Sequence, residues 1–180
     1  MKISETYSAR LKALHGALGI AEHYMDSCRM PLCEEAADLV DTEADIYGRP
    51  QRLTKEAFHA WKGMKAGAAA DGVTLFLISA FRGIDYQHDV IARKLRGGRS
   101  IEEVLQVNCA PGYSEHHTGR AIDVGTTGCD ALVEAFEFTE AFRWLESNGN
   151  EYSFFMSYPR KNQFGIKYEP WHWCFQKREK

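Results

Sequence analysis

Apolar residues recur at helical spacing near the start of the chain. Tyr7, Leu11, Leu14 and Leu18 fall three or four positions apart and predict an amphipathic helix over roughly 5–18. A second helical stretch is expected from Cys33 to Val40. The segment DTEADIYGRPQR that follows is polar and turn-rich, with Gly48 and Pro50 as breakers. Thr54 stands where a side-chain oxygen caps a helix running from Lys55 to about Ala70. Asp71-Gly72 signals a turn, and the β-branched, apolar run VTLFLIS behind it predicts a buried strand.

Further on, Tyr86, Val90, Ile91 and Leu95 suit a helix ended by Gly97 and Gly98. Ser100 with Glu103 forms a capping box that opens a short helix through Leu105. Pro111 and Gly112 interrupt the chain, and RAIDVG then alternates like a short strand. Phe138, Phe142 and Leu145 mark another helix, stopped at Asn148-Gly149. The closing segments YSFFMSYP and GIKYEPWHWCF read as two strands joined by a polar turn. Helices and strands come in separate runs, with no repeat or linker between them. This predicts one α+β domain over 1–180, its helices packed against a small antiparallel sheet. A helical part is expected over about 1–70 and a motif-bearing part over about 71–180.

Composition narrows the classes. With 180 residues, 44% hydrophobic and 26% charged, the chain is long and apolar enough for one packed core and is not a disordered segment. A formal charge of -3 gives no global basic footprint, so nucleic acid is not an expected partner. The local basic run Arg93, Lys94, Arg96 and Arg99 reads most simply as a solvated helix end. The cysteines Cys28, Cys33, Cys109, Cys129 and Cys174 are odd in number and form no CxxC pair. That argues against a disulfide framework or a zinc ribbon and for free thiols in a reducing compartment. The first twenty residues carry charges throughout and no long apolar run, so neither a secretory signal nor a membrane span is expected. The expected location is the cytoplasm, or the periplasm or a released form if the chain is exported by another route.

Chemistry concentrates in SEHHTGRAIDV, Ser114 to Val124. Hydrolytic zinc sites take three protein ligands and keep one position for water. His116 and Asp123 can supply two, His116 from a loop and Asp123 from the strand, because Gly119 between them can turn the chain. An aspartate on an apolar strand is costly to bury unless it meets a cation, which makes Asp123 the more informative residue. YEPWHW offers His172 as the third ligand, with Glu169 three residues earlier as the proton carrier if Pro170 disturbs the strand end. Adjacent histidines seldom hold one ion, so His117 is expected outside the ligand set or at the surface. His15, His23, His59 and His88 have no partners in the sequence pattern.

Ser114-x-His116-x-x-Gly119-x-Ala121-x-Asp123, followed by Glu169-Pro170-Trp171-His172 and preceded by SAFRGIDYQ, resembles the LAS group of zinc peptidases. These are D-alanyl-D-alanine carboxypeptidases of the vancomycin-resistance type, peptidase family M15. The motifs stand in the family's order from Ser79 to His172, about half the chain. The resemblance implies a hedgehog/DD-peptidase-like α+β fold. It implies zinc held by His116, Asp123 and His172, Glu169 as general base and acid, and Arg82 on the substrate carbonyl or carboxylate. It also implies substrate contacts at Gln87 and Ser114. The chain departs from the pattern at Gly83, where serine is frequent.

The implied partner is a peptidoglycan stem peptide or muropeptide, cut before its terminal D-alanine. Rival activities on the same chemistry are an L,D-carboxypeptidase and an L-Ala-D-Glu endopeptidase. Tyr113, Phe155, Tyr158 and Trp171 are expected in the groove walls that would set this choice. A noncatalytic wall-binding module with a structural zinc would need a fourth ligand, for which Cys174 is the candidate.

Overall fold

Ser4 accepts a hydrogen bond from the Tyr7 amide and opens helix α1, Glu5–Ala17, which buries Leu11 and His15. The structure, a computed structural model, describes residues 4–177. A single turn of helix, α2, spans Tyr24–Ser27. Strands β1 (Val40–Asp41) and β2 (Arg52–Leu53) form a two-stranded antiparallel ribbon. Between them the chain turns at Gly48, and Asp45 gathers the amides of Tyr47 and Arg49, the Arg49 guanidinium and the Gln51 amide. Thr54 caps α3, Lys55–Ala70, by accepting from the Ala57 amide, and the helix buries Ala57, Trp61, Met64 and Ala68 along one stripe.

The remaining elements carry the chemistry. They are β3 (Phe76–Ser79), α4 (Ile84–Arg96), α5 (Ile101–Leu105), β4 (Ala121–Gly125), α6 (Glu140–Asn148), β5 (Phe154–Met156) and β6 (His172–Phe175). The second sheet runs in the order β3-β4-β6-β5, antiparallel throughout. The α+β expectation is met: helices lie against a small antiparallel sheet.

Strand alternation divides the sheet into two uses. On β4, Ile122 and Val124 point to one face and join Leu77, Trp173 and the α3 and α6 side chains in the main core. Asp123 points to the other face, and its register partner across β6 is His172, so the two stand side by side. All five β4 residues are buried, because β4 is an interior strand covered on both faces. A second core of Leu18, Ile20, Ile91, Val104, Tyr113 and Tyr158 knits α1, α4 and α5 to the loops beyond.

Several expectations need correction. No helix forms over 33–40. There the Cys33 amide donates to the Gly112 carbonyl and the Ala36 amide to the His117 carbonyl, so the segment lies against the 112–117 loop instead of bonding to itself. From this segment Glu35 accepts the Ile84 amide at 2.8 Å and caps α4 from a distance. A side-chain carbon at Gly83 would meet the same Glu35 oxygen at 2.7 Å, so a larger residue there would have to displace the Glu35 carboxylate from the Ile84 amide. Tyr86 and Phe138 are exposed, and α4 instead turns Ile84, Gln87 and Ile91 inward. β5 and β6 do pair, but a long loop joins them in place of a turn, and all of GIKYEPW lies in that loop.

Candidate active site

His116 sits in a 3-10 turn, Glu115–Thr118, that ends at Gly119 in the left-handed region, φ 63°. A side-chain carbon at Gly119 would lie 2.5 Å from Leu39 Cδ2 and 3.3 Å from the Thr54 nitrogen, whose N–H donates to the Gly119 carbonyl. This turn aims His116 at the sheet face where Asp123 and His172 stand. Gly119→Ala is expected to lower unfolding free energy by about 2–3 kcal/mol, from the left-handed backbone and the overlap together. Urea denaturation of the chelator-treated protein measures it, and an unchanged midpoint would contradict the strained turn.

Ligand atoms of His116, Asp123 and His172 all lie within 4.8 Å of one another, and all three residues are buried. His116 Nδ1 bonds to the Ala80 carbonyl at 2.6 Å, which fixes the proton on Nδ1 and leaves Nε2 as a lone pair. That lone pair faces Asp123 Oδ1 at 3.3 Å, with no hydrogen bond to Nε2. Two acceptors therefore face each other in a buried place with nothing positive between them. Burial, and then the charge of Arg82, bring the His116 pKa down to about 4, so its ring is neutral at pH 7.

His172 is arranged differently. Its Nδ1 lies 3.1 Å from Asp123 Oδ1 and its Nε2 lies 2.9 Å from Glu115 Oε2. Burial opposes a charge on this ring, but the hydrogen bonds it donates to both carboxylates overcome it and push the pKa up to about 10. Asp123 is buried too, yet the neighbouring histidines hold its carboxyl well below the usual range. Glu169 Oε2 lies 4.0 Å from His172 Nδ1. Burial raises the Glu169 pKa to about 7, the neighbouring Asp123 adding to it against the pull of nearby cations.

These groups open into a cleft of about 340 Å³. Arg82, Ser114, His116, Asp123, Glu169 and His172 all line it, so six of the seven sequence-predicted site residues converge. Gln87 does not. It is 1% exposed and donates to the Cys109 carbonyl at 2.7 Å, behind a residue that does line the cleft. Of the four expected groove residues, Tyr158 and Trp171 line the cleft. Tyr113 is buried in the second core and Phe155 lies outside the wall. Cys174 is not in the ligand group found among the described residues.

Other partners lay outside the motif pattern. Glu115, between the motif serine and histidine, holds the second nitrogen of His172 and so fixes that ring's orientation. His117 is neither free nor at the surface: its Nδ1 meets the Arg82 carbonyl at 2.5 Å and its Nε2 accepts the Gly112 amide at 3.1 Å. It ties the motif turn to the Arg82 strand end, while the Arg82 amide donates to the His116 carbonyl. Ala80, which receives His116 Nδ1, is itself held by Gln51 Oε1 and through Gln51 by Asp45. The polar stretch between β1 and β2 is thus a brace for the first histidine.

Comparison with known proteins identifies relatives of the chain. The VanY profile, described as D-alanyl-D-alanine carboxypeptidase, matches residues 50–178. The putative carboxypeptidase YodJ of Bacillus subtilis (strain 168) is 34% identical over 147 residues, 77% of this chain and 53% of that protein. The chain therefore spans about half of YodJ's length. Among solved structures, the LdcB LD-carboxypeptidase superposes with a TM-score of 0.69 at 30% identity, covering 78% of this chain and 69% of that one. The vancomycin-resistance D,D-pentapeptidase VanY in complex with Zn(II) shares the fold, with a TM-score of 0.60 at 23% identity over 81% of this chain and 86% of that one. The motif resemblance is borne out, and the chain belongs to the VanY family of D-alanyl-D-alanine carboxypeptidases.

Proposed function

We propose that this chain is a zinc-dependent D-alanyl-D-alanine carboxypeptidase that removes the terminal D-alanine of peptidoglycan stem peptides. The observation that carries the reading is the buried, protonless contact between His116 Nε2 and Asp123 Oδ1, with His172 Nδ1 beside it. Asp123 already meets His172, but the buried His116 Nε2 lone pair has no donor, and a divalent cation shared by all three groups satisfies it. One carboxylate and two imidazoles suit zinc, and three protein ligands leave a position open. His116, Asp123 and His172 would hold the zinc ion, which would supply Lewis acidity and acidify the attacking water near neutral pH.

The chain's own residues do the rest. Glu169, kept out of the ligand set and raised toward neutrality by burial, takes a proton from the attacking water. It then delivers that proton to the leaving amine of D-alanine. Arg82 presents a fixed cation to the cleft, and its Nε is buried without a protein partner. It stabilises the negative charge that develops on the scissile carbonyl oxygen. Ser114 lines the same cleft and contacts the peptide. Glu115 and His117 act by position, holding His172 and the Arg82 backbone. The second reading, an L,D-carboxypeptidase, is favoured by the likeness to LdcB. It uses the same residues and differs in the bond cut.

Mass spectrometry of digests of synthetic stem peptides ending in D-Ala-D-Ala, in D-Ala or in L-Lys decides between them. Loss of one alanine from the D-Ala-D-Ala peptide is expected, abolished by chelator and restored by zinc. Cleavage only of the peptide with a single terminal D-alanine would replace the first reading by the second. No metal-dependent cleavage of any of them would overturn both.

A further inference from the structure

The cleft holds more positive charge than one terminal carboxylate and one developing oxyanion require. Besides Arg82, its lining includes Lys94 on α4, Arg99 just beyond α4 and Lys167 on the loop before β6. Among the described residues none of these four cations is in an ion pair within 4 Å. Counter-charge is not scarce in a chain with 25 acidic residues against 22 basic ones. Another lining carboxylate, Glu134, is paired with Arg160 at 3.6 Å. The remaining lining carboxylates, Asp123 and Glu169, belong to the catalytic centre.

Lys94 is also held in place. Its Nζ donates to Asn108 Oδ1 at 3.1 Å, and the Asn108 amide donates to the Val104 carbonyl on α5. It is half-buried, and burial, then the charges of Arg99 and Arg82, hold it below the ordinary lysine value. Arg99 and Lys167 are exposed at the cleft mouth, whereas Lys94 is half-buried with the charges of Arg99 and Arg82 near it, a placement that an anion would relieve. The basic run that reads as a solvated helix end therefore divides in two. Arg93 and Arg96 face solvent, while Lys94 and Arg99 face the cleft.

We propose that Lys94, Arg99 and Lys167 form a second anion subsite, and that the preferred substrate is a stem peptide carrying a carboxylate besides its terminal one. This rests on the peptidase reading and deepens it. Two positions of a stem can supply that group: a free α-carboxylate on the γ-linked D-glutamate, or a side-chain carboxylate where the third residue is a diamino diacid instead of lysine. Charge-assisted hydrogen bonds from a lysine and an arginine hold either group, and Lys167, exposed at the rim, closes over it.

The test compares four peptides ending in D-Ala-D-Ala. They combine D-glutamate or its α-amide at the second position with the diacid or its side-chain amide at the third. KM is read by hydrolysis, and binding by calorimetry on the Glu169→Gln protein. Removing one of the two carboxylates is expected to weaken binding and raise KM by about tenfold or more, with kcat little changed. The position that produces the drop identifies the group bound. The preference is expected to shrink as salt rises and to fall below about threefold in Arg99→Gln/Lys167→Gln. Arg93→Gln/Arg96→Gln, on the outward side of the same helix, is expected to keep it. Equal binding of all four peptides, or a preference that survives in Arg99→Gln/Lys167→Gln, would overturn the subsite. Absence of hydrolysis of every peptide would overturn the peptidase reading, while the calorimetric ratios would still decide the subsite.

Discussion

Glu169→Gln is expected to lower kcat by about 10²–10⁴-fold while the protein keeps its full complement of zinc. The substitution keeps the shape of the side chain and removes its ability to hold and release a proton. Glu169 stands 4.0 Å from His172 Nδ1 and is not among the three clustered groups, so metal content is expected to depend on it weakly. The pH profile carries a second expectation. In the metal-free chain the Glu169 pKa is raised to about 7, by burial first and then by the charge of Asp123. A divalent cation beside it favours the ionised carboxylate, so the acid limb of kcat/KM in the zinc-loaded enzyme is expected below pH 7. That limb should vanish in Glu169→Gln. Elemental analysis of the purified variant, with a pH-rate series on the D-Ala-D-Ala peptide, checks both. Hydrolysis at wild-type rate by the variant would remove Glu169 from the reaction.

The clustering of His116, Asp123 and His172 was legible because each member sits in a short local pattern and strand periodicity supplies the rest. Asp123 lies in a run of apolar residues where only a cation makes an acid tolerable, and His172 meets it across two adjacent strands. The capping residues Thr54 and Ser100 were legible for the same reason: their partners lie three residues away. What failed was local reading of segments whose partners are distant. The stretch 33–40 has helical composition, but its amides go to Gly112 and His117, so the loop it braces decides its conformation. Glu115 looked like a motif spacer because its partner, His172, is 57 residues away. Lys94 looked like part of a solvated helix end because nothing in the sequence places it in the wall of a cleft shared with the loop before β6. The resemblance placed Gln87 on the substrate, whereas its burial inside α4 puts it behind Cys109.

Zinc binding to chelator-stripped protein is expected to release between about one and one and a half protons per ion at pH 7, and to tighten about tenfold per pH unit from pH 6 to 8. In the metal-free chain His172, with its pKa pushed up to about 10, carries a proton on each nitrogen, one toward Asp123 and one toward Glu115. An ion taking Nδ1 must displace the first. His116, brought down to about 4, has none to give, and Asp123 is already ionised. Glu169, near 7, gives up part of one. The stability of the two forms then diverges with pH. A histidine whose folded pKa lies above its unfolded value contributes stability that is complete below about 6.5 and lost as pH rises through the folded pKa. The metal-free protein therefore loses this contribution between about pH 6.5 and 10, while the zinc-loaded protein gains affinity over the lower part of that window. At free zinc a thousandfold above Kd the gain is about 4 kcal/mol, or roughly 8–16 °C in Tm for a domain of this size. Scanning calorimetry with and without zinc at pH 6, 7 and 8, and titration in buffers of different ionisation enthalpy, read the two quantities separately. A Tm gap that narrows with rising pH, or binding without proton release, would mean that the ion does not sit at His172 Nδ1.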